Sequence, residues 1–124
     1  MKKILIVDDA AFSRSIHRQV IESGGYEVIE AACGKDALEM FKTEKPDLVT
    51  MDLLMPDMDG MDVVRKIMEA DPDAKAIICS TDKQKFRQEE AREVGAVGFI
   101  PKPVDPDTLL GLLKTIFDDS SASS

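Results

Sequence analysis

Five times along this chain a short apolar run gives way to a longer stretch in which apolar residues recur every three to four positions. That alternation is the pattern of βα units wound about a parallel sheet, because strand side chains change face at every residue while a helix repeats about every 3.6. The runs KILIV, EVIEA, DLVTM, AIIC and GFI predict strands at residues 3–7, 27–31, 47–51, 76–79 and 98–100. The first, third and fourth are apolar almost throughout, as strands covered on both faces must be. Helices are expected at 11–23, 34–44, 60–70, 83–94 and 106–117. Their stripes are Phe12, Ile16 and Val20 in the first, Ala37, Leu38 and Phe41 in the second, Met61, Val64 and Met68 in the third, and Leu109, Leu113 and Ile116 in the last. Gly24, Gly25, Gly34, Pro46, Gly60, Pro72 and Gly95 punctuate the boundaries. Five such units fit a doubly wound α/β fold, a five-stranded parallel sheet of order 2-1-3-4-5 with five helices. In such a sheet ligands bind outside the carboxyl ends of the strands, beside the first and third.

At 124 residues the chain suits one domain that folds without a disulfide or structural metal. Residues 1–118 are assigned to that domain, and residues 119–124, closing on SSASS, to a flexible tail or the start of a linker. The formal charge of −8 argues against direct binding of nucleic acid or of an anionic membrane surface. Cys33 and Cys79 fall in different elements with no CxxC spacing, so reduced thiols are expected rather than a zinc or redox pair. Met1-Lys2-Lys3 leads straight into ILIV, too short for a signal-peptide core or a membrane span, and the expected location is cytoplasmic.

The chemistry sits at the strand ends. Asp8 and Asp9 follow the first strand and Asp52 follows the third, so the topology brings three carboxylates to one rim. Two like charges about 4 Å apart repel by about 4 kcal/mol at an effective dielectric near 20, so three pairs approach ~10 kcal/mol. That rivals the whole stability of a domain, about 5–15 kcal/mol. Something cationic is therefore expected to bind there. An all-oxygen site with one or two direct carboxylates suits Mg²⁺, with Mn²⁺ as a substitute, and such a site retains room for a phosphoryl oxygen. Ser80, after the fourth strand, and Lys102, after the fifth, reach the same rim. Acids, a hydroxyl and an ammonium placed this way suit phosphoryl transfer onto a carboxylate.

Taken in order, VDDAAFSR, TMDLLMPDMDG, the CST after the fourth strand and GFIPKP make the chain resemble, along nearly its full length, a receiver domain of the two-component response regulators, of the stand-alone CheY-like kind. The resemblance implies a flavodoxin-like fold. It implies that Asp52 is the phosphoacceptor, taking its phosphoryl group from a sensor histidine kinase in a Mg²⁺-dependent reaction. Asp8, Asp9, Asp52 and the backbone carbonyl of Leu54 would hold the metal, with Asp9 and Asp52 as direct ligands. Lys102 would contact the phosphoryl group, Ser80 would be the switch hydroxyl, and Phe99 the aromatic whose rotamer follows. Lys102-Pro103 is expected to be cis. The face made by the fourth helix, fifth strand and fifth helix would then engage a downstream protein or output domain. The chain is expected as a monomer, with that face available for dimerisation. It would catalyse only its own phosphorylation and dephosphorylation.

Some positions depart from the family pattern. Thr81 stands where a small residue is usual, Leu54 is apolar where many relatives are polar, and Asp82 lies two past Ser80. These three are assigned to access to the phosphoryl group, with Leu54 expected to slow its loss by excluding water. His17 is expected to be a solvated surface histidine, and Met61 and Met68 core residues, with Met55 and Met58 unassigned. Lys83, Lys85, Phe86 and Arg87 either form a solvated face or serve a partner. Competing functions are fewer. A phosphatase of the haloacid dehalogenase type would want a DxD spacing that Asp8-Asp9-Ala10 lacks, and a flavodoxin-like cofactor binder would meet repulsion from Asp8 and Asp9. An unphosphorylated pseudo-receiver used for docking, or a receiver excised from a longer regulator, remain as alternatives.

Overall fold

A computed structural model describes residues 1–81 and 84–122, the last four of these as backbone alone. Strands β1 (Lys3–Val7), β2 (Glu27–Ala31), β3 (Leu48–Met51), β4 (Ala76–Ser80) and β5 (Gly98–Pro101) alternate with helices α1 (Ala11–Ser23), α2 (Gly34–Glu44), α3 (Gly60–Ala70), α4 (Lys85–Glu93) and α5 (Pro106–Ala122). All four strand pairings are parallel, and the sheet order is β2-β1-β3-β4-β5 as expected. Predicted and observed elements agree closely, except that α5 runs on past 117 and α4 is trimmed at both ends. Among the described residues no helix is long and apolar enough to cross a membrane.

Alternating side chains build a layer on each face of the sheet. Ile4 and Ile6 of β1 point into a cluster closed by Ile21 of α1 and by Leu109, Leu113 and Phe117 of α5. Leu5 and Val7 point the other way, against Ala37 of α2 and Val63, Val64 and Ile67 of α3. A smaller cluster of Leu53, Met61, Ile78 and Ala91 underlies α4, with Phe99 packed against it. Met61 is fully buried, and Met55, Met58 and Met68 pack partly buried against the second cluster.

The first helix departs from expectation. Phe12 is 79% exposed and Ile16 41%, while His17, expected at the surface, is buried. Burying Ile21 against Ile4 and α5 turns the helix so that position 17, one turn earlier on the same face, faces inward. Phe12 and Ile16 are thereby left on the flank nearest the carboxyl rim. Arg87 is also turned inward rather than displayed on α4. Its guanidinium bonds both oxygens of Asp59 at 2.8 Å and Oε1 of Glu90 at 2.9 Å. Asp82 and Lys83 lie outside the described residues.

Candidate functional site

Sheet register places the acids. The ladder that pairs Val7 with Met51 continues one step beyond β3, where the Asp52 N–H donates to the Val7 carbonyl at 3.0 Å. On the opposite side the Asp8 N–H donates to the Ala31 carbonyl at 3.1 Å. Asp8, Asp9 and Asp52 therefore converge, with one carboxylate oxygen of each within 4.8 Å of the others. Asp8 and Asp52 are buried and Asp9 is exposed, so the cluster opens to solvent on one side.

Lys102 enters from the far edge. Its N–H donates to the Ser80 carbonyl at 2.9 Å, which extends the β4–β5 ladder and sets the residue over the rim. The Lys102–Pro103 peptide is cis. The ammonium lies 2.7 Å from Asp8 Oδ2 and 3.6 Å from Asp52 Oδ2. Three carboxylates thus face one ammonium, a formal excess of two negative charges that a divalent cation would cancel. The donor set is all oxygen, which fits a hard cation of the Mg²⁺ class and not a thiolate- or imidazole-seeking metal. Asp8, Asp9 and Asp52 are the side chains that would hold it.

The two buried acids are held in opposite protonation tendencies. Burial, reinforced by the charges of Asp8 and Asp9, keeps the Asp52 carboxyl above the usual carboxylate range, with Lys102 and the Leu54 N–H opposing. Burial also pushes Asp8 up, but hydrogen bonds from Lys102, Ser13 and the Ala10 N–H together outweigh it and hold Asp8 below that range. Of the two buried acids, Asp52 is thus the one whose charge is less compensated.

The loop after Asp52 is fastened at several points. The Leu54 N–H donates to Asp52 Oδ1 at 3.3 Å, and Leu54 is 55% exposed. Asp57 accepts from the Gly34 and Lys35 N–H groups at 3.2 and 3.3 Å, capping α2 from across the chain. Asp59 caps α3 by accepting from the Met61 N–H at 2.9 Å. Gly60 then passes so close that a Cβ on it would lie 2.0 Å from the Asp52 carbonyl oxygen. Sequence reasoning read Gly60 as a helix start only. Its nearness to Asp52 is a tertiary fact, although a glycine straight after an N-capping aspartate was a usable signal.

Ser80 is fully buried at the end of β4, and Thr81 beside it is exposed. Phe99 is half-buried and lines a recess of about 290 Å³ with Gln88, Ala91, Arg92 and Ala96. A second recess, of about 320 Å³, lies between α1 and the segment after β5, where Phe12, Ser13, Ile16 and His17 meet Thr81, Lys102, Pro103 and Val104.

Known proteins share this fold and much of this sequence. The family model of the response regulator receiver domain matches residues 4–114. The chain is 46% identical over 116 residues to the chemotaxis protein CheY of Thermotoga maritima, covering 93% of this chain and 97% of that one. It is 34% identical over 113 residues to the sporulation initiation phosphotransferase F of Bacillus subtilis, covering 91% of each. Among solved structures, a CheY-like receiver domain protein from Methanospirillum hungatei superposes with a TM-score of 0.93 at 31% identity, covering 100% of this chain and 99% of that one. The chain also matches a CheX–CheY–BeF3–Mg complex from Borrelia burgdorferi with a TM-score of 0.90 at 34% identity, covering 94% and 89%. With five parallel strands in the order 2-1-3-4-5 and acids at the ends of the first and third, the chain belongs to the response regulator receiver domains, of the CheY-like kind.

Proposed function

We propose that the chain is a phosphorylation-controlled interaction module in which Asp52 is the phosphoacceptor. The observation that carries this reading is the convergence of Asp8, Asp9 and Asp52 within 4.8 Å, with Lys102 3.6 Å from Asp52. An Asp52 carboxylate oxygen attacks the phosphorus of a phosphohistidine on a sensor kinase. A P–O bond forms, the P–N bond breaks, and the imidazole leaves. Bound Mg²⁺ would offset the charge that gathers on the transferred oxygens. Lys102, shared between Asp8 and Asp52, is placed to turn its ammonium to the new phosphoryl group. The Ser80 hydroxyl, at the end of the neighbouring strand, would follow.

The donor has a landing surface. Phe12 and Ile16 stand exposed beside the recess that adjoins Lys102 and Thr81, and apolar area at the mouth of a charged site suits a docking helix that presents a histidine to Asp52. On the other flank, exposed Val97 lines a recess with Phe99, and Phe86 stands exposed on α4, which supports the α4-β5-α5 face as the surface that changes affinity for a downstream protein. A coupling of about 1–3 kcal/mol is enough for such a switch. Relatives named as chemotaxis proteins favour action as a stand-alone regulator.

The test is incubation with acetyl phosphate, with and without Mg²⁺, read by intact mass on the native chain, Asp52→Asn and Leu54→Asn. One metal-dependent phosphoryl adduct, lost in Asp52→Asn, is expected. Leu54→Asn should lose the adduct faster, because an exposed apolar side chain beside Asp52 is replaced by one that can hold water. Absence of an adduct on the native chain, where a control receiver is modified, would instead support an unphosphorylated docking module.

A further inference from the structure

We propose that Arg14 is a positioning residue of the metal site, holding the Asp8–Asp9 peptide by its carbonyl; this rests on the Mg²⁺ reading of the acidic cluster above. Arg14 lies in the first turn of α1, away from the strand ends that supply the other site residues. Its Nη1 donates to the Asp8 backbone oxygen at 2.7 Å. The remaining polar groups of Asp8 are also engaged: its N–H with Ala31, Oδ1 with the Ala10 N–H at 2.9 Å, and Oδ2 with Lys102 at 2.7 Å. Arg14 therefore completes the fixing of a residue that is itself buried.

The consequence falls on Asp9. The Asp8 carbonyl and the Asp9 N–H share one planar peptide, so the direction of that carbonyl sets where the Asp9 Cα stands. Asp9 is the exposed member of the acidic cluster, and its carboxylate depends on the backbone that carries it.

Arg14 is in turn anchored on the edge strand. Its Nε donates to Glu30 Oε1 at 2.9 Å, and Arg18 Nε holds the other oxygen of Glu30 at 2.7 Å. Arg18 also donates to the Val28 carbonyl at 3.2 Å. The Arg14 side chain is 18% exposed, so this is no loose surface pair. The planar fork of Arg14 works in two directions at once, toward Glu30 and toward the Asp8 carbonyl. A lysine ammonium on a flexible stem does not reproduce that geometry.

Charge and positioning predict opposite signs. A cation near the cluster repels Mg²⁺, so on charge alone Arg14→Ala tightens metal binding and Arg14→Lys leaves it unchanged. If Arg14 positions the peptide, both substitutions weaken binding, by about tenfold, the usual lower scale for losing a group that orients a metal ligand. The experiment is an amide chemical-shift titration of the full chain with MgCl₂, on the native protein, Arg14→Ala, Arg14→Lys and Arg18→Ala. Arg18→Ala loses a Glu30 ion pair of similar length without touching Asp8, and should stay within about twofold of native, as expected of a group outside the metal's hydrogen-bonded surroundings. Should Arg14→Ala fail to fold, Arg14→Lys decides. Native affinity in Arg14→Lys, or tighter binding in Arg14→Ala, overturns the proposal. A native chain that takes up no Mg²⁺ defeats the metal reading itself, an outcome distinct from equal binding by native and variant.

Discussion

Gly60 and His17 are the residues whose consequences are sharpest. A Cβ at Gly60 would press on the Asp52 carbonyl at 2.0 Å and on Leu53 Cα at 2.9 Å, both backbone atoms with nowhere to yield. Gly60→Ala should therefore cost about 2–3 kcal/mol and move Asp52, the proposed phosphoacceptor, read as a lower urea midpoint together with a smaller phosphoryl adduct. Burial, then the nearby Lys102 ammonium, keeps the His17 imidazole below its usual range, with Asp8 opposing. The folded chain thus takes up this proton less readily than the unfolded chain. The stability at stake is fully present above the ordinary histidine pKa of about 6.5 and is lost as pH falls below it. His17→Leu should flatten the slope of stability between about pH 6.5 and 5, where the unfolded imidazole takes up its proton. An unchanged slope would assign the acid loss to other groups. Nothing in the neighbouring polar run distinguished His17 from a surface histidine, because only the turn of α1 on the sheet brings it inward.

At the scale of elements, helix existence was legible and helix facing less so. The apolar stripe of α2 and α3 was read correctly, since Ala37, Met61 and Val64 are all fully buried. In α1 the stripe of Phe12, Ile16 and Val20 divides, with Val20 packed against the core and Phe12 and Ile16 on the exposed flank beside the site. A hydrophobic stripe marks a face that wants covering, and it does not say whether this chain or a partner covers it. The end of α2 carries a local cost. Lys45 caps it in the left-handed region, with φ of 48°. Glycine there relieves the Cβ strain and gives back some unfolded-state entropy, so Lys45→Gly should stabilise the chain by about 0.5–1 kcal/mol, measured by thermal or urea unfolding. Between α3 and α4, Arg65 and Arg87 share Glu90, and Arg87 also holds Asp59 at the α3 N-cap. The loop that follows Asp52 is thereby tied to the helix of the proposed output face.

For the whole molecule the acidic rim is a standing cost that the chain accepts for its chemistry. Asp52 is held above the ordinary carboxylate range by burial and its neighbouring acids, so the folded state binds that proton more readily than the unfolded state. The cost therefore appears as pH rises through about 3.8 and is complete once pH has passed the raised value of the folded state. Asp52→Asn should raise stability at pH 7 without metal by about 1–2 kcal/mol, a shift of several degrees in Tm. Added Mg²⁺ should raise the Tm of the native chain by mass action and shift Asp52→Asn much less. A native chain indifferent to Mg²⁺, or an Asp52→Asn chain less stable than native, would contradict this account.

The sequence by itself determined the kind and order of the elements, the sheet order, and the acids, hydroxyl and lysine at the strand ends. These follow from short-range periodicity and from a topology with few alternatives, so a residue's place just after a strand already assigns it to the rim. Only the tertiary structure decided that Arg14 grips the Asp8 carbonyl, that Asp57 caps α2, that Gly60 abuts Asp52, and that α1 turns His17 inward and Phe12 outward. Those contacts join residues distant in the chain or depend on the rotation of a helix about its axis. Both are settled by packing against the sheet, and no local pattern carries that information.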